Sequence, residues 1–248
     1  MRIIPIANRK GGVGKTSITV NLAQGLTIIG HKVLVIDLDD QAQTTSHLGL
    51  KNCRYDVSDF IMGMEFPKIV KHYQGMDVLP GSAHTSTRSV ELFKMKERNL
   101  LLSNALHSAK LSYDFIIIDT PPGLSLMSIN AYAAATDVFV VVDPEFLPLE
   151  GLDKLNNTLQ KVRDRHGRFQ KITGIVINKY RKRLKINQKV IDAIRSKYDY
   201  VLFRTFVHEN VKIKEAPYHG LDIFSYDPSS QGAQDFFHLS KEVNSKVN

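Results

Sequence analysis

The chain has one cysteine, Cys53, in 248 residues. No disulfide can form within one copy, which fits a reducing compartment. It also lacks any long hydrophobic run. Stretches such as FIIIDT and VFVVVD are far too short to span a bilayer. Nothing ahead of the glycine-rich stretch at residue 10 has the pattern of a signal peptide, because the chain runs straight into RIIPIANRK. A cytoplasmic protein that does not enter a membrane is expected. Acidic residues are in deficit: 25 Asp and Glu stand against 33 Lys and Arg, a formal net charge of +8. That excess favours a polyanionic partner without naming it. Linkers and internal repeats are missing too. With 43% hydrophobic and 23% charged residues, the chain can bury a substantial core, and one domain over residues 1–248 is expected.

What is present is an alternation of short β-type runs with helical patterns. RIIPIA (2–7), KVLVIDLD (32–39), MDVLPG (76–81), FIIIDTPPG (115–123), VFVVVD (138–143) and ITGIVIN (172–178) read as strands. VLFRTFV (201–207) and DIFSY (222–226) are expected to be late strands. Residues 15–29 place Ile18, Leu22, Leu26 and Ile29 at helical spacing, with Gly30 as a stop. Residues 84–110 read as helix, and 44–72 is the least regular region. The strands are almost continuously apolar, as they are when helices cover both faces. The expected fold is α/β, a mostly parallel sheet with helices on both sides.

The first strand runs into KGGVGKTS (10–17) and then a helix. A strand, a glycine-rich turn and a helix N-terminus make a phosphate-binding loop, with backbone N–H groups aimed at the phosphates. Gly11, Gly12 and Gly14 let that backbone come close. Lys15 would reach the β and γ phosphates, and the Thr16 hydroxyl would bind Mg²⁺. The strict G-x-x-x-x-G-K-[ST] pattern fails, because Arg9 stands where its first glycine belongs. Two strands end in acid at the edge where such sheets bind ligands: one in Asp37, Asp39 and Asp40, the other in Asp119. Four bulky apolar residues before Asp119 make a Walker B pattern, whose carboxylate would hold Mg²⁺ through water. Asn178, at the end of another strand, either pairs with an adenine edge or is a turn-former.

KGGVGKTS resembles the deviant Walker A loop of the ParA/MinD ATPases, a group of P-loop NTPases. The stretch 207–242, VHENVKIKEAPYHGLDIFSYDPSSQGAQDFFHLSKE, is similar to the C-terminal pattern of ParA (Soj-type) partition ATPases. Matching segments run from residue 3 to about 243. The resemblance implies that Lys10 reaches across an ATP-bound homodimer to the partner's nucleotide. It implies that Asp39, in DLDDQ, orients or activates the attacking water, and it places Asp39 beside Thr16 and Asp119 at the Mg²⁺. Asp40 departs from the usual proline there. The nucleotide-binding set is then Lys10, Gly11, Gly12, Val13, Gly14, Lys15, Thr16, Ser17 and Asn178. Between these motifs lies NKYRKRLKINQK (178–189), which has no acid. By the resemblance, Arg181, Lys182, Arg183 and Lys185, together with Lys212, bind DNA without sequence preference. With no helix-turn-helix read ahead of the loop, operator-specific binding is not expected.

The function implied is ATP-driven segregation of a plasmid or chromosome, associated with the nucleoid and served by a ParB-like adaptor. A second reading uses the same chemistry to position a protein cargo such as an organelle or chemosensory cluster. A nitrogenase-type iron protein needs cluster cysteines, which Cys53 alone cannot supply. A MinD-type membrane ATPase needs a C-terminal amphipathic membrane helix, and FFHLSKEVNSKVN reads as a packing helix instead. A synthetase that phosphorylates a small acid would not need the basic cluster.

Overall fold

The computed structural model describes residues 1–145, 149–166 and 171–247. Its strands are β1 (Arg2–Ala7), β2 (Val33–Asp37), β3 (Lys71–Tyr73), β4 (Met76–Leu79), β5 (Phe115–Asp119), β6 (Val138–Val142) and β7 (Ile172–Ile177). The helices are α1 (Lys15–Ile28), α2 (Gln43–His47), α3 (Val57–Ile61), α4 (His84–Lys94), α5 (Leu101–Ala109) and α6 (Leu126–Ala134), then α7 (Leu149–His166), α8 (Lys185–Tyr198), α9 (Val211–Glu215), α10 (Ile223–Tyr226) and α11 (Gln231–Val247). The sheet order is β3-β4-β2-β5-β1-β6-β7. All pairings are parallel except the β3–β4 hairpin.

Side-chain alternation along each strand sorts the apolar residues onto two faces. Ile4, Ile6, Val33, Val35, Phe115 and Ile117 meet α1, α10 and α11 on one side. Ile3, Leu34, Ile36, Ile116 and Ile118 meet helices from α3 to α8 on the other. Helix α1 is buried without a break from Ile18 to Leu26, because it lies between the sheet and α11. β1 sits between β5 and β6, so the loop after it opens at the place where the strand order reverses, the ligand crevice of such sheets.

Three expectations need correction. DIFSY is helix α10, not strand: both Phe224 N and Ser225 N donate to the Asp222 carboxylate, which caps it. Residues 201–207 run beside β7 without becoming a full strand. Leu202 bridges to Ile175 and Val207 N donates to Ile177 O. Between them, the N–H groups of Arg204 and Thr205 turn to the Glu242 carboxylate instead of a neighbouring strand. The helix expected over 84–110 is two, α4 and α5, parted by a turn in which Glu97 adopts a positive φ of 57°.

Candidate nucleotide site and basic surface

The glycine-rich loop leaves β1 at Asn8, whose side chain ties the start of the loop to β6. Asn8 Nδ2 donates to Val141 O at 2.6 Å, and Oδ1 accepts from Lys10 N at 2.8 Å. Gly12 and Gly14 have φ of 75° and 94°, the left-handed region that glycine enters without strain. Gly14 ends the loop at α1 with no side-chain cap on the helix. The first N–H groups of α1 are therefore left to the crevice, the arrangement that anions seek.

The loop is braced from β7. Asn178 Nδ2 donates to Val13 O at 2.8 Å, and a Cβ on Gly14 would lie 2.2 Å from that nitrogen. Lys179, itself at φ 57°, donates to Gly12 O at 2.6 Å and pairs with Asp143 at 3.3 Å. The amide of Asn178 is thus engaged with the loop backbone, and the cation of Lys179 is turned inward from the basic run. Lys10 and Gly11 are exposed on the outer lip.

Lys15 is buried. Burial lowers its pKa, opposed by the charges of Asp119 and Asp39. Strand register sets Asp37 directly beside Asp119, and both are fully buried. Burial raises both carboxyls, and at Asp37 the charge of Asp119 raises it further. Asp119 Oδ2 accepts from Thr16 Oγ1 at 2.7 Å and from Thr44 Oγ1 at 2.8 Å, while Oδ1 is buried without a partner. Asp37 Oδ2 accepts from the N–H and hydroxyl of Thr45 at 2.9 and 2.7 Å. Asp39 is buried at the mouth, its pKa raised mainly by burial, with Gln41 N donating to its Oδ1 at 3.0 Å. Asp40 Oδ1 accepts from the Gln41 side chain at 3.2 Å.

A bare buried carboxylate oxygen, a neighbouring hydroxyl, a buried ammonium and an uncapped helix start fit a magnesium-bound polyphosphate. Among the described residues no cluster of three or more His, Cys, Asp or Glu could hold a metal by itself. A Mg²⁺ held by one hydroxyl, water and substrate phosphates suits that donor set. The sequence alone does not single out Thr44 and Thr45. Their only signal is the pair of hydroxyls that follows the acidic strand end in DLDDQAQTT.

The basic stretch 178–189 and the second basic segment, which carries Lys212 and Lys214, do meet. Tyr180 bridges to His208, and Glu209 N donates to Tyr180 O. Their charges are not all uncompensated, however. Arg181 pairs with Glu209 and with Glu145, Lys214 with Glu209 at 2.7 Å and Lys212 with Glu215 at 3.0 Å. The acids missing from 178–189 arrive from other segments. Lys182, Arg183, Lys185 and Lys189 are exposed, and among the described residues none of them has an acidic partner. No helix in the described residues is long and apolar enough to cross a membrane.

Residues 1–173 match the family model described as an AAA domain. The chain is 36% identical over 249 residues to the sporulation initiation inhibitor protein Soj of Bacillus subtilis, covering 98% of each. It is 34% identical over 254 residues to the chromosome partitioning protein ParA of Caulobacter vibrioides, covering 99% of this chain and 95% of that one. Among solved structures it superposes with a TM-score of 0.77 on the septum site-determining protein MinD of Pyrococcus horikoshii, complexed with Mg-ADP. That pair is 28% identical, with 98% of this chain and 96% of the other covered.

Proposed function

The chain belongs to the ParA/Soj family of ATPases, and from that premise we propose that it is a partition ATPase acting on DNA as a single P-loop unit. It hydrolyses ATP with Mg²⁺. ATP joins two copies face to face, the pair holds DNA without sequence preference, and a ParB-like adaptor on the cargo stimulates hydrolysis and releases it. The observation that carries the nucleotide half is the bare buried oxygen of Asp119, next to Thr16 at the uncapped start of α1.

The residues divide the work as follows. The loop from Gly11 to Gly14, with the N–H groups of Lys15, Thr16 and Ser17, holds the phosphates, and Asn178 and Lys179 keep that loop in shape. Lys15 adds positive charge where little water competes for it. Thr16 would hold Mg²⁺ directly and Asp119 through water, with Asp39 near it, and the ion would neutralise phosphate charge during transfer. Asp39 orients the attacking water, and the Gln41 N–H fixes its carboxylate. Lys10, on the exposed lip, extends toward a partner's nucleotide. On the DNA side Lys182, Arg183 and Lys185 lead. Arg181 and Lys212 contribute once their carboxylates are outcompeted by phosphate.

The test is DNA binding by the purified protein with ATP, ADP or no nucleotide. Binding only with ATP is expected, weakening steeply with salt. Replacing Lys182, Arg183 and Lys185 with glutamate should weaken it, with a salt slope shallower by about 2–3, while affinity for a fluorescent ATP analogue is unchanged. Equal DNA affinity for variant and parent would remove this surface from the mechanism.

A further inference from the structure

Helix α2 has one end in the nucleotide site and the other against the second basic segment. At the near end, Thr44 is fully buried and shares a single oxygen of Asp119 with Thr16. Thr45 holds Asp37, and Gly81 N donates to the Thr45 hydroxyl at 2.9 Å. A five-residue helix has little stability of its own. Its position is set by these two hydroxyls on two strand-end carboxylates, by packing on α1, and at its other end by buried His47, which hydrogen-bonds the Leu221 backbone. A substrate that engages Thr16 takes away one of the two donors on Asp119 Oδ2 and leaves Thr44 alone there. The seat of α2 therefore depends on occupancy.

At the far end, α2 runs through Leu48 into Gly49, which meets Gly220 backbone to backbone. Both have positive φ, 64° and 70°. A Cβ on Gly49 would lie 3.2 Å from Gly220 Cα, and one on Gly220 would lie 3.0 Å from Gly49 Cα. No side chain stands between them to absorb a shift. Gly220 closes the turn Ala216–His219, which continues directly from α9, the helix that carries Lys212 and Lys214. Beyond Gly220 the chain is anchored: Asp222 exchanges hydrogen bonds with the Tyr73 hydroxyl, and Ile223 N donates to Asn21 Oδ1 at 2.7 Å. A displacement of α2 therefore reaches this segment at Gly220 and Leu221, and with Asp222 and Ile223 held it is taken up toward α9.

We infer that α2 couples nucleotide occupancy to the 211–220 segment within one subunit, with Thr44 as the positioning residue at its near end and the Gly49–Gly220 contact as its output. The inference draws on the proposed function only in taking α9 as part of the DNA surface. It adds a coupling inside the subunit to the joining of two subunits.

The experiment is amide hydrogen exchange over residues 211–221 of the full chain, with and without saturating Mg-ATP. The protein is kept at a concentration where light scattering reports a monomer. Exchange in the wild type should change by at least about fivefold on ATP, the low end of ordinary allosteric coupling. Thr44→Val keeps the shape and loses the donor, and should abolish most of that response even when a fluorescent ATP analogue shows the site to be filled. Thr44→Ser should restore it. Gly220→Ala alters the output without touching the site, so it should lose the response while retaining ATP affinity. A Thr44→Val response equal to that of the wild type, or no response in the wild type, would overturn the coupling. DNA binding measured in parallel separates the two ideas. A wild type that shows the Thr44-dependent response but binds no DNA supports the coupling and rejects the DNA reading.

Discussion

Asp37 and Asp119 lie side by side with no exposed surface, and burial raises both carboxyls. An aspartate in the unfolded chain titrates near about 4. The folded protein thus keeps protons that the unfolded chain has already lost. Stability from this source is full below about pH 4 and is lost as pH rises through the raised folded values. Asp37→Asn keeps an acceptor for Thr45 and removes the charge. Without nucleotide, the variant should gain stability over the wild type between about pH 5 and pH 8, by on the order of 1 kcal/mol. Thermal melts of both proteins across that range check it, and a difference that does not vary with pH would mean that packing, not ionisation, separates them. At this scale the residues with charge were readable from sequence and their braces were not. Lys15, Thr16 and Asp119 announce themselves by strand, loop and helix order. The hydroxyls of Thr44 and Thr45 gain meaning only when the sheet places β2 beside β5. Asn178 illustrates the other kind of difficulty. A strand-end amide can serve a base or a backbone, and only the closeness of Gly14 places it on Val13 O.

Among the elements, strands buried on both faces were the most readable, because β-branched and apolar runs bounded by turns leave few alternatives. The late segments were harder. DIFSY has strand-like apolar content, but its first residue, Asp222, is a cap, and a cap decides for helix. VLFRTFV aligns with β7 at each end, and Glu242, distant in sequence, takes its central N–H groups. Tertiary partners override local pattern in both cases. β7 itself carries a testable constraint. Gly174 faces Phe139 and Phe203, and an added Cβ would lie 2.4 Å from the Phe203 ring and 2.7 Å from Phe139. These rings are almost fully buried and pack edge to face at 5.0 Å, so neither can move aside cheaply. Gly174→Ala should cost about 1–3 kcal/mol, and Tm should fall by roughly 2–4 °C for each kcal/mol. A melt that superposes on the wild type would show that this ring pair yields more readily than its burial implies.

For the molecule as a whole, the net charge of +8 was a fair guide to sign and a poor guide to distribution. Glu145 and Glu209 reach Arg181 from elsewhere in the chain, and Glu209 and Glu215 pair with Lys214 and Lys212 inside their own segment, so in these two segments the cations without an acidic partner among the described residues are Lys182, Arg183, Lys185 and Lys189. The remaining question concerns two molecules. Lys15 is buried beside its own carboxylates, and Lys10 stands exposed on the lip. If Lys10 serves the partner's nucleotide, Lys10→Ala should bind ATP with affinity within about a factor of ten of the wild type, a penalty below about 1.4 kcal/mol, because Lys15 and the loop backbone remain. It should fail to form the ATP dimer. DNA affinity should fall as well, since two weak surfaces no longer act together. Light scattering with ATP in an Asp39→Ala background isolates assembly from turnover, because that variant is expected to hold ATP without cleaving it. A dimer that assembles equally well with and without the Lys10 side chain would make Lys10 an ordinary surface residue. The proposed exchange between subunits would then need another cation to deliver charge across the interface.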